Sequence, residues 1–128
     1  MAAEAGIAAH AQALTSAIRE CWTAATSAYS SWSPARPSLG QCAVSALVIQ
    51  DYLGGDLIRA ENAGHSHYWN VVGGEVIDIT RDQFSCWDPV GESGRSREYV
   101  LSFPDTVRRY QLLRDAVARR LGLPPPAG

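Results

Sequence analysis

The sequence predicts an α+β domain, with a central helix that begins at Cys42, a small antiparallel sheet beneath it and a helix at each end. Three observations carry this. Apolar residues recur at three- and four-residue spacing near both ends, an almost wholly apolar run starts at Cys42, and two short strand-like segments flank Gly73-Gly74. At 128 residues the chain has length for about one domain burying roughly two thirds of its unfolded surface. A single unit over residues 1–123 is expected, followed by a flexible tail at 124–128 that holds Pro124-Pro125-Pro126.

The first helix is read from about Ala3 to Ala28, with Leu14, Ile18, Cys21 and Trp22 along one stripe. Pro34, Pro37, Gly40 and several serines then mark a loop. From Cys42 to Ile49 the chain is apolar except for Ser45, and Gly54-Gly55 closes this short buried helix. Leu57 to Ala60 is expected as a strand. A hairpin follows with arms His67–Val72 and Glu75–Thr80, joined by two glycines suited to positive φ. A further strand is expected at Glu98–Ser102, and Pro104 opens a last helix running to about Leu121.

Composition excludes several classes of function. With a formal net charge of −2 there is no electrostatic footprint for nucleic acid or an anionic membrane surface. All eleven basic residues are Arg, so no lysine can form a Schiff base with a carbonyl substrate. Cys21, Cys42 and Cys86 are odd in number and lack C-x-x-C spacing, which argues against a disulfide framework or a zinc knuckle. Reduced thiols, and an N-terminus without a basic segment leading into an apolar one, lead us to expect a cytoplasmic protein that needs no cofactor.

The candidate chemistry begins at Cys42. A thiol attacks as thiolate, and the first turn of a helix supplies N–H groups and a positive dipole end that favour that form. The Cys42 N–H and the side chain of Gln41 are candidate donors to an oxyanion, and Trp32, Trp69 and Asn70 are candidate substrate contacts. With Gly73-Gly74 as the loop, Val72 faces Glu75, Trp69 faces Asp78 and His67 faces Thr80. His67 and Asp78 are then diagonal neighbours, roughly 7–8 Å apart between backbones and closer between side chains. Nucleophile, base and orienter of the base are all present in Cys42, His67 and Asp78.

Gly40-Gln41-Cys42, Ala46-Leu47-Val48, Gly54-Gly55, His67-Tyr68-Trp69-Asn70, Ile77-Asp78-Ile79-Thr80, Gln83-Phe84 and Arg109-Tyr110 with Leu113 resemble the bacterial YunG-like proteins. The likeness spans about Trp32 to Leu113. A His-x-Trp strand followed by an Asp-x-Thr strand is more distantly similar to the transglutaminase-like and papain-like cysteine enzymes. That resemblance implies a papain-like core with Cys42 as nucleophile, His67 as base and Asp78 as orienter. Ala43 departs from the aromatic residue that often follows the nucleophile in transglutaminases, and the chain is much shorter than those enzymes.

The expected activity is acyl transfer or hydrolysis through a cysteine acyl-enzyme, in a shallow cleft suited to a small amide, a peptide end or a carrier-bound acyl group. Two other readings compete. The same residues could fill the polar core of a non-catalytic binding module, which a thiol-reactivity profile would distinguish. Cys42, His65, His67 and Asp78 could instead hold zinc, which metal analysis would reveal. Arg95 and Arg97 are expected on a solvated face, although either could grip a substrate carboxylate.

Overall fold

A computed structural model describes residues 2–124 of the chain. The elements are α1 (Ala2–Cys21), α2 (Cys42–Leu53), β1 (Asp56–Asn62), β2 (His65–Val72), β3 (Glu75–Ile77), β4 (Val90–Arg95), α3 (Arg97–Val100) and α4 (Pro104–Leu121). The four strands form one antiparallel sheet in the order β3-β2-β1-β4. The fold is α+β as expected. The proposed tail residues 125–128 lie outside the described residues.

Helix α2 is the centre of the packing. Val44, Leu47, Val48 and Ile49 are buried on it, and they meet Ile18 of α1, Leu57 of β1, Tyr68 of β2 and Leu113 and Val117 of α4. An apolar helix of this kind buries its whole circumference, whereas α4 turns one stripe inward and leaves Leu112 exposed. The indole of Trp22 donates to Ser45 Oγ at 2.9 Å, which satisfies the polar group inside the apolar run.

The hairpin has the anticipated register. Val72 pairs with Glu75 and Asn70 with Ile77, across Gly73 and Gly74 at φ 57° and 83°. Both loop residues are in the left-handed region that a two-residue turn of this type needs.

Three elements differ from expectation, the first being the second hairpin arm, which ends at Ile77 and not Thr80, so the expected Trp69–Asp78 and His67–Thr80 pairs do not form. Helix α1 stops at Cys21, because the Thr26 hydroxyl bonds both the Thr23 N–H and the Thr23 carbonyl, at 3.0 Å each, and folds the chain into a turn where a helix would continue. The expected strand at Glu98–Ser102 is instead α3, whose start is capped by Ser96 Oγ accepting from the Tyr99 N–H at 3.1 Å. The strand in this region is β4, one element earlier in the Gly/Ser-rich stretch, where tertiary pairing with β1 overrides weak local propensity.

Candidate active site

Cys42 is the first residue of α2, and the Ser45 N–H closes the first turn on Gln41 O at 3.0 Å. Among the described residues no side chain caps this helix, so its leading N–H groups are left for another acceptor. The approach to the thiol is set by Gly40. At φ 72° its backbone suits glycine, and a Cβ there would lie 2.5 Å from Ser27 Oγ and 2.8 Å from the Ala28 nitrogen. The Ala28 N–H in turn donates to Gly40 O at 2.9 Å.

His67 on β2 is fully buried, and its Nε2 is 2.8 Å from Oδ2 of Asp78, whose side chain is 4% exposed. Asp78 follows directly after β3. Its Oδ2 also accepts from Arg81 Nε at 3.1 Å, and its Oδ1 from the Thr80 N–H at 3.3 Å. Burial pulls the His67 pKa down, but the Asp78 hydrogen bond and the neighbouring Cys42 thiol outweigh it and bring the imidazole to about 9. The ring is thus protonated at neutral pH. Its second nitrogen, Nδ1, is buried and has no hydrogen-bond partner among the described residues, and Cys42 is the polar side chain beside it. The thiol itself leans towards Ser66 O, 3.9 Å away.

Aromatic rings hold the imidazole in place. Phe84 and Trp87 stand edge-on to it at centroid distances of 5.0 and 5.4 Å, and Trp69 lies 5.8 Å away. Arg81 stacks on the far ring, 4.1 Å from the Trp87 centroid, while bonding Asp78.

Several residues expected at the site do other work. Gln41 is completely buried, with Nε2 donating to Thr23 O at 3.0 Å and Oε1 accepting from Thr26 Oγ1 at 2.8 Å. Its carboxamide is built into the turn before the nucleophile and does not face a substrate. Asn70 is also interior, donating from Nδ2 to Ala46 O at 2.9 Å to tie β2 to α2. Trp32 folds back on its own loop, bonding Pro37 O at 2.8 Å. Trp69 is buried against His67 and Trp87.

Arg97 corrects the expectation of a solvated face. It bonds Asp51, whose side chain is 4% exposed, together with Gln50 and the Tyr110 hydroxyl. Tyr110 in turn donates to Asp51 Oδ2 at 2.6 Å, and burial followed by that bond pushes its phenol up to about 12. Arg95 bonds Ser93 and lies over the Tyr99 ring. His65 is exposed, with Nδ1 3.4 Å from the Tyr29 hydroxyl, and among the described residues no three His, Cys, Asp or Glu side chains gather in a way that could hold a metal ion.

Other residues line the open space over the thiol. Tyr29, Tyr68 and Gln83 line a chamber of about 180 Å³ that opens on Cys42. Gln83 accepts from the Gly40 N–H at 3.2 Å and donates to Thr80 O at 3.0 Å, joining the nucleophile's loop to the loop after Asp78. Its only sequence signal was its place in the Gln83-Phe84 pair of the family resemblance. Burial, and then the neighbouring Cys42, push the Tyr29 phenol above its ordinary value.

The family described as YunG protein matches residues 10–122, and the chain belongs to that family. It is 36% identical over 105 residues to the uncharacterized protein YunG of Bacillus subtilis (strain 168), covering 81% of this chain and 88% of that protein. No solved structure matches the chain. Among the described residues no helix is long and apolar enough to cross a membrane.

Proposed function

We propose that the protein is a cysteine-dependent acyl-transfer enzyme in which Cys42 is the nucleophile, His67 the acid and base, and Asp78 the group that orients His67. The observation that carries this reading is the 2.8 Å bond from His67 Nε2 to a buried Asp78, which leaves Nδ1 unpartnered beside the thiol. A purely structural histidine would ordinarily satisfy both ring nitrogens when fully buried. The likeness to papain-like and transglutaminase-like enzymes belongs to this reading and rests on the residue pattern.

In the proposed reaction Cys42 Sγ attacks the carbonyl carbon of an amide or ester, and the new oxyanion is met by the N–H groups at the start of α2. An imidazolium beside a cysteine favours thiolate. As the carbon–nitrogen or carbon–oxygen bond breaks, His67 gives its Nδ1 proton to the leaving group. Water or an amine then attacks the thioester. His67 takes the proton from it, and the carbon–sulfur bond breaks to release Cys42.

The test is alkylation of Cys42 by iodoacetamide at neutral pH, followed by mass spectrometry, in wild type and His67→Ala. Reaction in the wild type that is faster than at exposed Cys86 and slows in the variant supports the pair. Equal rates in both proteins would leave a binding module as the better description.

A further inference from the structure

The chamber over Cys42 is the middle of a longer groove. On one side it shares Tyr29 and Gln83 with a chamber of about 280 Å³ that reaches Arg36, Leu39 and Phe84. On the other side it shares Ala43, Ser66 and Tyr68 with a chamber of about 310 Å³ walled by Tyr99, Val100 and Phe103. The thiol therefore has binding space on both sides. A small amide would leave both flanking chambers empty.

The second flanking chamber has an unusual wall. Tyr99 and Phe103 are 44% and 49% exposed, yet they meet edge-to-face at 5.7 Å, held by α3 and the residue before α4. Val100 between them is buried and anchors the segment, so the two rings are presented by a fixed turn. Tyr68 supplies a third ring and Arg59, which bonds Ser66 Oγ at 2.9 Å, closes the far side. Exposed aromatic rings clustered at a groove are what an apolar or aromatic side chain would bury against. Polar backbone also runs along the floor, since Ser66 O lies 3.9 Å from the thiol and can accept from a substrate amide.

We infer that the substrate is a peptide segment that passes over Cys42 and seats a bulky apolar or aromatic side chain against Tyr68, Tyr99 and Phe103. The inference rests on the proposed nucleophile for its chemistry but on the groove for its specificity.

Two blocked tripeptides, N-acetyl-Gly-Phe-Gly-amide and N-acetyl-Gly-Gly-Gly-amide, would be titrated calorimetrically into wild type, the single variants Tyr99→Ala and Phe103→Ala, and the double variant. Both rings are exposed and cap nothing through their side chains, so the variants should fold. Wild type is expected to prefer the Phe peptide by about tenfold, from burial of one aromatic side chain, and the double variant to lose that preference. The Phe peptide should also slow iodoacetamide at Cys42 while the Gly peptide does not. Equal binding of the two peptides, or a preference that survives in the double variant, would overturn the inference even if Cys42 proves activated. Selective binding with a thiol that ignores His67 would uphold the groove and remove the nucleophile.

Discussion

His67 and Asp78 meet across 2.8 Å although only three residues of β3 pair with β2, so the bond is made beyond the end of the ladder. The hairpin sets the diagonal, and Thr80 and Arg81 then hold the carboxylate in place.

Replacing Asp78 by Asn keeps the shape and removes the charge. The His67 pKa, raised to about 9 by this hydrogen bond and by Cys42 against the pull of burial, is expected to fall. A ring-proton titration followed by NMR reads this directly. A His67 that titrates unchanged in Asp78→Asn would show that the carboxylate does not control the imidazole.

Stability should depend on pH through the same group. An imidazole whose pKa rises from 6.5 unfolded to about 9 folded binds its proton more tightly in the native state. Its contribution is fully present below about pH 6.5 and is lost as pH rises through about 9. Urea midpoints at about pH 6 and about pH 9.5 should fall more steeply in wild type than in His67→Ala, where this linkage is gone.

Gln41 is expected to matter for folding. Gln41→Leu removes two hydrogen bonds to the Thr23–Thr26 turn, whose own Thr26 Oγ1 to Thr23 contacts remain, and should cost about 1–2 kcal/mol in urea unfolding. The corresponding loss of thiol reactivity should scale with the unfolded fraction. A variant that is fully stable but unreactive would return Gln41 to the oxyanion site.

Gly40→Ala tests the approach to the nucleophile. The added Cβ would press on Ser27 Oγ and the Ala28 nitrogen in a left-handed backbone, at a cost of about 1–3 kcal/mol. Thermal unfolding would measure it, and a neutral result would mean the loop can rearrange freely ahead of Cys42.

Legibility in the sequence followed the range of the interactions. Gly73-Gly74 determines its own turn, and the turn determines the register, so the meeting of His67 and Asp78 could be read from a dozen residues. The start of α2 at Cys42 was likewise local, set by the onset of an apolar run. Gln41 was misread because its partners, Thr23 and Thr26, lie 18 and 15 residues away and nothing local names them. The same holds for Arg97, whose partner Asp51 is 46 residues distant. Phe84 and Trp87 reach His67 through a loop without periodicity, and β4 is a strand because β1 pairs with it.

The turn from Thr23 to Thr26 is gripped twice, by Gln41 just before the nucleophile and by Arg109 of α4, whose Nη1 donates to Thr26 O at 3.1 Å. One grip comes from the residue before α2 and the other from α4. The second grip forms only when α4 packs against this turn, so the seat of Cys42 depends on that helix. A chain without Arg109 would carry the thiol with only one of the two grips on its supporting turn, so α4 takes part in seating the candidate nucleophile.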